Sequence, residues 1–82
     1  MQVTLLTPEG KQFEGTAESI LIPALDGSMG VLENHAAIIS ALGEGRLEIR
    51  QDKGMVAFSI KSGLVEVSNN QVNILSDFAN AI

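Results

Sequence analysis

Short runs in which apolar and polar residues alternate, each closed by a turn signal, set the limits on what this chain can fold into. Asp52-Lys53-Gly54 and Asn69-Asn70 are two such turn signals, and alternating runs flank both of them. Successive side chains of a strand point to opposite faces, so a period of two is typical of strands with one buried face. Turn signals that recur every 8–12 residues or so favour an antiparallel sandwich or barrel.

The first half of the chain follows the same pattern less regularly. Pro8-Glu9-Gly10 separates two extended segments, Pro23 ends a third, and Asp26-Gly27-Ser28 forms the next break. Only 36–42 and 76–82 leave room for a helix, and segments this short cannot anchor a helical fold. The sequence therefore predicts an all-β protein of nine or ten short strands.

Composition narrows the possible functions. Eighty-two residues form one domain over 1–82. Ten acidic residues against five Lys and Arg give a net charge of −5, which argues against nucleic-acid binding. The chain has no Cys, one His, and no Trp or Tyr, which excludes thiolate metal sites and leaves little for stacking bases. No apolar run approaches the length of a membrane span. We expect no cofactor, no bound metal and no direct membrane span.

His35 is the only side chain that titrates near neutral pH, so it is the first candidate for catalysis. Ser28 or Ser40 with Asp26 would complete a Ser-His-Asp set. No G-x-S-x-G motif surrounds either serine, and no oxyanion hole is evident. We predict that His35 is structural or lies at an interface, and a small hydrolase remains a distant third interpretation.

The segment Gly27-Ser28-Met29-Gly30 superficially resembles a phosphate-binding loop. It lacks the Lys-Ser/Thr ending of such a loop and the helix that follows one. Apolar residues, Met29 and then Val31, stand directly beside the glycines. At the tip of a sandwich such residues either plug the core or form a contact surface, and residue type leaves both possibilities open.

Lys53 raises a different class of function. Lipoyl and biotinyl carrier domains are β-sandwiches of similar length whose modified lysine lies in a hairpin turn. Their lysine is usually flanked as Asp-Lys-Ala or Ala-Met-Lys-Met, and Gly54 departs from both patterns. An ordinary exposed lysine is the commoner occupant of a hairpin tip. A carrier modified at Lys53 remains the alternative interpretation.

Taken in order along the chain, the sequence landmarks resemble those of one family. They are similar to the N-terminal β-sandwich of the epsilon subunit of F-type ATP synthases, called delta in mitochondria. The resemblance covers the whole chain, and its most specific part is the glycine segment followed by the histidine. The matching segments are Val3–Thr7, Pro8-Glu9-Gly10, Phe13-Glu14-Gly15, Ala17–Ile20, Ile22-Pro23, Asp26–Leu32, His35–Ile39, Leu42–Gly45, Ser62–Val67 and Val72–Asp77.

The resemblance implies a flattened β-sandwich or barrel of about ten short, mostly antiparallel strands in two sheets. It also implies a non-catalytic subunit of the central rotor that couples the gamma stalk to the membrane c-ring of a proton-translocating ATP synthase. Such a subunit is peripheral, on the cytoplasmic face of the bacterial inner or plasma membrane, and monomeric when isolated. Carried over by position, the c-ring contacts are Gly27, Ser28, Met29, Gly30 and Val31, and the gamma-subunit contacts are His35, Ala36, Ile38 and Ser40. We expect Met29 and Val31 to centre the ring patch, and Ile38 with His35 to centre the gamma patch.

The chain departs from the family pattern in three places. Glu33-Asn34 precedes the histidine where Pro-Gly is usual, and Ala37 replaces a proline. Asn adopts the left-handed conformation nearly as readily as Gly, so the turn before His35 is expected to survive. Met29 stands where relatives often carry an acid, so an apolar ring contact is expected. The usual C-terminal helical hairpin does not follow Ile82, so we expect neither ATP binding nor inhibition by this polypeptide.

Overall fold

The computed structural model describes residues 1–82 and contains ten strands and no helix. This confirms the predicted all-β fold, and both segments that left room for a helix carry strands instead. The strands are β1 (Gln2–Thr7), β2 (Gly10–Thr16), β3 (Ser19–Ala24), β4 (Gly27–Leu32), β5 (Ile38–Leu42), β6 (Gly45–Gln51), β7 (Gly54–Ile60), β8 (Gly63–Ser68), β9 (Gln71–Ser76) and β10 (Ala79–Ala81).

Hydrogen bonds connect the strands in the order β10-β7-β6-β3-β5-β8-β9-β1-β2, with β4 on the other edge of β3. The link between β3 and β5 is a single residue pair, Ala24 with Leu42, so the sheet turns a corner there. The corner divides it into layer one (β4-β3-β6-β7-β10) and layer two (β5-β8-β9-β1-β2). Every pair is antiparallel except β1 with β9. The result is the expected two-layered, nearly closed and mostly antiparallel sandwich.

One hydrophobic cluster fills the space between the layers. It contains sixteen buried residues, and inward-facing side chains alternate with outward-facing ones as the sequence period predicts. Ile20 and Ile22 of β3 and Leu47 and Ile49 of β6 are fully buried on the inner face of layer one. Val72 and Ile74 of β9 face them from layer two. Interiors packed in this way approach crystalline density and deform little under load.

The strand directions define two ends of the sandwich. The N-terminal end carries the turns Asp52-Lys53 and Asn69-Asn70, the segment Glu33–Ala37 that joins β4 to β5, and Met1, whose ammonium group donates to the carbonyl of Ala17 at 3.0 Å. The tip end carries the turn between β3 and β4 and those next to Pro8 and Ser62. β4 runs from the tip end to the N-terminal end, about 17 Å for a strand of this length.

Candidate functional site

The β3–β4 hairpin forms the most prominent apolar point at the tip end. Its turn, Leu25-Asp26, leaves the Leu25 side chain 70% exposed. Gly27 closes the turn with φ at 121°, a conformation that favours glycine. The Leu25 N–H donates to the carbonyl of Ala41 at 3.2 Å, which holds the hairpin against the neighbouring strand. Sequence reasoning missed Leu25, although a large apolar residue directly before Asp26-Gly27 was a usable signal.

The glycine segment is a strand and not an exposed loop. β4 pairs with β3 so that Met29 lies opposite Ile22, and Val31 lies opposite Ile20. Both partners are buried, and the two β4 side chains follow them inward. Val31 is 1% exposed, and Met29 packs against the core. The expectation that Val31 helps to centre an exposed ring patch is therefore wrong, whereas Met29 is only half-buried and its place in that patch stays a prediction.

The other three residues expected to contact the c-ring lie at the surface. Gly27 and Ser28 are exposed beside the turn, close to Leu25. Gly30 is exposed halfway along β4, the edge strand of layer one, away from the tip.

The segment that carries His35 lies at the opposite end of β4. Asn34 has φ at 64°, so the expectation that it supplies the left-handed residue is confirmed. Its N–H donates to Asn70 Oδ1 at 2.6 Å. The half-buried His35 donates from Nδ1 to the carbonyl of Ala36 at 2.7 Å, since a carbonyl can only accept. Glu33 Oε1 lies 3.6 Å from the Met1 ammonium nitrogen.

Strand β5 presents a different apolar residue from the one expected. Ile38 packs against the core, and Ser40 is half-buried opposite the buried Val65. Ile39, between them, points outward and is 67% exposed. Ile38 is thus half-buried and Ile39 is the more exposed of the two, because the pleat sends alternate residues of β5 to opposite faces.

The outer face of layer two carries a continuous apolar row. Leu6 of β1 pairs with Leu75 of β9, Leu75 with Leu64 of β8, and Leu64 with Ala41 of β5. All four side chains are exposed, and we call this row the layer-two stripe. An open groove of about 530 Å³ runs over it towards Pro8. Ile39 lies on the same face, two residues from Ala41, and extends the apolar surface.

Apolar doublets in the sequence were the signal for this surface. Leu5-Leu6, Ile38-Ile39, Leu64-Val65 and Ile74-Leu75 each break the alternation. In a two-layered sandwich one member of each doublet enters the core and the other faces outward. Only the sheet order brings the outward members onto one face, with Leu6, Leu64 and Leu75 in one row and Ile39 beside it.

The structure does not bring the candidate catalytic residues together. Asp26 and Ser28 lie at the tip end, whereas His35 follows the opposite end of β4. The Ser40 hydroxyl makes its hydrogen bond to the neighbouring Ala41 carbonyl.

No group of three His, Cys, Asp or Glu residues is placed to hold a metal ion. The structure offers no helical segment that could span a membrane. Lys53 is an exposed residue of the β6–β7 turn.

These features define the class of small β-sandwich domains with a packed core and apolar residues on the outer faces. Residues 1–82 match the family described as ATP synthase, Delta/Epsilon chain, beta-sandwich domain. The chain belongs to this family.

Individual relatives agree with the family match. The chain is 35% identical over 77 residues to the ATP synthase epsilon chain of Leptospira interrogans, covering 94% of this chain and 61% of the relative. It is 37% identical over 75 residues to that of Thermosynechococcus vestitus, covering 92% and 54%. The chain thus spans little more than half the length of these relatives.

Two solved structures share the fold. One is the mitochondrial ATP synthase of Euglena gracilis, described as OSCP/F1/c-ring in rotational state 1. A chain of it superposes with a TM-score of 0.85 at 26% identity, covering 96% of this chain and 51% of that one. The other is the central stalk/c-ring of the Tetrahymena thermophila mitochondrial ATP synthase, with a TM-score of 0.81 at 25% identity, covering 98% and 65%.

Proposed function

We propose that this chain is a non-catalytic subunit of the central rotor of an F-type, proton-translocating ATP synthase, where it couples the gamma stalk to the membrane c-ring. One observation carries the proposal: a single close-packed sandwich holds two exposed apolar surfaces, the tip of the β3–β4 hairpin at Leu25 and the layer-two stripe, which adjoin at Ala41. A subunit that couples two partners needs two binding surfaces on one domain that does not deform internally under load. The family membership and the central stalk/c-ring description of a similar structure support the same role.

The c-ring contact in this proposal is the tip of the β3–β4 hairpin. Leu25, Gly27 and Ser28 are exposed there, and the hairpin has one apolar side chain to insert between polar loops. Met29 and Val31 contribute from inside, because their packing fixes the hairpin to the core. Gly30 lies too far along β4 to belong to the tip.

The gamma contact in this proposal extends from His35 and Ala36 over the outer face of layer two. Ile39 replaces Ile38 as its apolar centre, and the layer-two stripe continues the surface across four strands. Ser40 supports this face from the inner side. An interface that transmits torque needs roughly 1,000 Å² or more, with an apolar core and a polar rim. Glu66, beside Ile39, supplies part of such a rim.

The proposed position is peripheral: the ring holds the chain at the cytoplasmic face of a bacterial inner or plasma membrane. Free of its partners, the chain is proposed to be a monomer. The carrier alternative requires a covalent adduct on Lys53, which an intact-mass measurement of the native protein reveals directly.

The experiment that tests the role measures retention of the chain on purified gamma subunit and on purified c-ring separately. Leu64→Glu combined with Leu75→Glu should lose gamma binding and keep ring binding. Leu25→Asp should do the reverse. Unchanged retention of both variants on both partners would reject the coupling role.

A further inference from the structure

The edge strand of layer one, β4, is unprotected against pairing with another chain. Three strands, β2, β4 and β10, pair with a single neighbour each. Two of these edges are blunted, because β2 carries the charged Lys11 and Glu14 beside a register shift in β1, and β10 has only three residues. By contrast, β4 has six residues with no charge and no proline, and its register against β3 is unbroken.

The pairing of β4 with β3 decides which backbone groups face the open side. Ala24 and Gly27 close the two-residue turn as a hydrogen-bonded pair, and such pairs recur at every second position of an antiparallel ladder. Pro23, opposite Ser28, agrees with this phase. Its carbonyl accepts from the Gly43 N–H, on the side of β3 away from β4. Every second residue of β4, beginning with Ser28, therefore turns its backbone groups away from β3.

Five backbone groups are left without a partner in this way. They are the N–H and C=O groups of Ser28 and Gly30 and the N–H of Leu32. The Leu32 carbonyl points the same way but accepts from the His35 N–H at 3.2 Å, which ends the open edge. Gly30 has no side chain to shield its two groups, and open space surrounds the position of a Cβ there. An extended peptide recognises such an edge because it completes the hydrogen-bonded ladder.

Neither these 82 residues nor a second copy of them suits this edge. The other nine strands already have places in the sheet, and the last one, β10, lies on the far edge of layer one, four strand intervals or about 19 Å away. Antiparallel pairing of β4 with its own copy overlaps most when centred on Gly30. That register places Glu33 of one copy opposite Gly27 of the other, next to Asp26, and like charges adjoining across strands repel.

The same two carboxylates indicate what the incoming segment carries. Asp26 precedes β4, is exposed and takes part in none of the three ion pairs of the structure. Glu33 follows β4 with its side chain 60% exposed, and its ion pair with the Met1 ammonium is 3.6 Å long. The open edge is thus uncharged along its length and acidic at both ends. A strand with an uncharged centre and a basic residue at each end complements it.

We propose that the free edge of β4 binds an extended segment of a different polypeptide, with an uncharged centre of about six residues and Lys or Arg at both ends. The segment pairs with Ser28, Gly30 and Leu32 and becomes the outermost strand of layer one. One face of it continues the row of the half-buried Met29, so alternate apolar side chains suit that face. This contact goes beyond the coupling role and does not depend on it.

Two short synthetic peptides test the proposal on the full 82-residue chain. Both alternate Thr and Val over about six central positions, and one has a pair of Lys at each end where its twin has a pair of Glu. We expect the Lys peptide to bind about fivefold more tightly, since the ion pairs are exposed. The ratio should approach one in about 1 M salt, where charges are screened within about 3 Å. Asp26→Asn combined with Glu33→Gln should also remove the difference.

Gly30→Pro tests the pairing of the backbone. Proline is tolerated in an edge strand where the N–H it removes faces solvent, and open space surrounds the site, so the variant should fold. It should bind the Lys peptide about tenfold more weakly or worse. Gly30→Ala keeps the N–H and should bind like the unmodified chain. A Lys peptide that is N-methylated at alternate central residues, on the edge facing β4, should lose binding to the unmodified chain.

Amide hydrogen exchange locates the bound segment. In the free chain the amides of Ser28, Gly30 and Leu32 should exchange fast and those of Met29 and Val31 slowly, and the Lys peptide should slow the first three. Several outcomes would overturn the proposal: no binding at about 1 mM peptide, equal affinity of the twins, full affinity of Gly30→Pro or of the N-methylated peptide, protection confined to β2 or β10, or an assembly of copies that Gly30→Pro abolishes. None of these measurements uses gamma or the c-ring, so a failure here leaves the coupling role standing, and a failure of retention leaves this edge contact standing.

Discussion

Asn34 and Asn70 join the two layers at the N-terminal end through a reciprocal pair of hydrogen bonds. The Asn34 N–H donates to Asn70 Oδ1 at 2.6 Å, and Asn70 Nδ2 donates to Asn34 Oδ1 at 3.1 Å. Both residues have positive φ, and the Asn70 carbonyl also accepts from the N–H of Gln2. The turn before His35 is thereby fixed to the β8–β9 hairpin and to β1.

This pair can be tested without disturbing the backbone. Asn70→Gly keeps the left-handed conformation and removes both side-chain hydrogen bonds, so we expect a loss of about 1 kcal/mol in the free energy of unfolding. For a domain of this size the loss lowers Tm by about 4–8 °C. Asn69→Gly is the matched control, since Asn69 also has positive φ but makes no side-chain hydrogen bond. Equal effects of the two variants in urea denaturation would contradict the role of the pair.

Gly63 is the position where a side chain is least tolerated. A Cβ there would lie 1.9 Å from the Leu75 carbonyl oxygen, and φ is 151°. Because the obstacle is backbone of the adjacent strand, it cannot move aside. We expect Gly63→Ala to cost about 3 kcal/mol or more, or to abolish soluble expression. Gly30→Ala, with open space around its Cβ, should change stability by less than about 1 kcal/mol. Similar soluble yield and denaturation midpoints for the two variants would refute the assignment.

Substitution of Val31 tests whether this residue stabilises the fold or contacts the c-ring. Its side chain belongs to the core cluster, so Val31→Ala should destabilise the fold by about 1–3 kcal/mol, through lost burial and the cavity that remains. Once the fraction folded is taken into account, its retention on the c-ring should equal that of the unmodified chain. Calorimetry and retention measured on the same preparation decide the matter. Weaker ring binding at unchanged stability would return Val31 to the contact surface.

Leu25 should behave in the opposite way. Leu25→Asp replaces an exposed side chain, so stability should stay within about 0.5 kcal/mol, whereas ring binding should fall about tenfold or more. Ile82→Asp is a matched control, because Ile82 is 67% exposed and lies outside both proposed contacts. Titration of purified c-ring with each variant distinguishes the two positions. Equal ring affinity of Leu25→Asp and the unmodified chain would remove the hairpin tip from the ring contact.

Local patterns predicted a large part of the fold. Alternation fixes which residues of β6 and β9 face the core, because the strand period is two wherever the strand runs. The Asn69-Asn70 turn follows from the ease with which Asn adopts positive φ in two-residue hairpins. The type of a turn and the inward or outward direction of side chains along a strand depend on residues nearby in the sequence. Both can therefore be predicted without knowledge of the tertiary structure.

The residues of the candidate site were harder to predict from the sequence, because their exposure depends on which strands pair beside them. Whether Val31 or Leu25 is exposed depends on the register of β4 against β3.

By itself, the sequence determined an acidic, all-β chain with strands and turns in their places and the landmarks of one family. The tertiary structure alone decided that the sheet turns at Ala24 and Leu42, and that Leu6, Leu64 and Leu75 form one surface. The physical reason is that some interactions act between residues close in the sequence and others between residues far apart in it. Backbone conformation and side-chain phase are set by near neighbours, whereas surfaces form from strands far apart in the chain, whose order follows from burying one shared core.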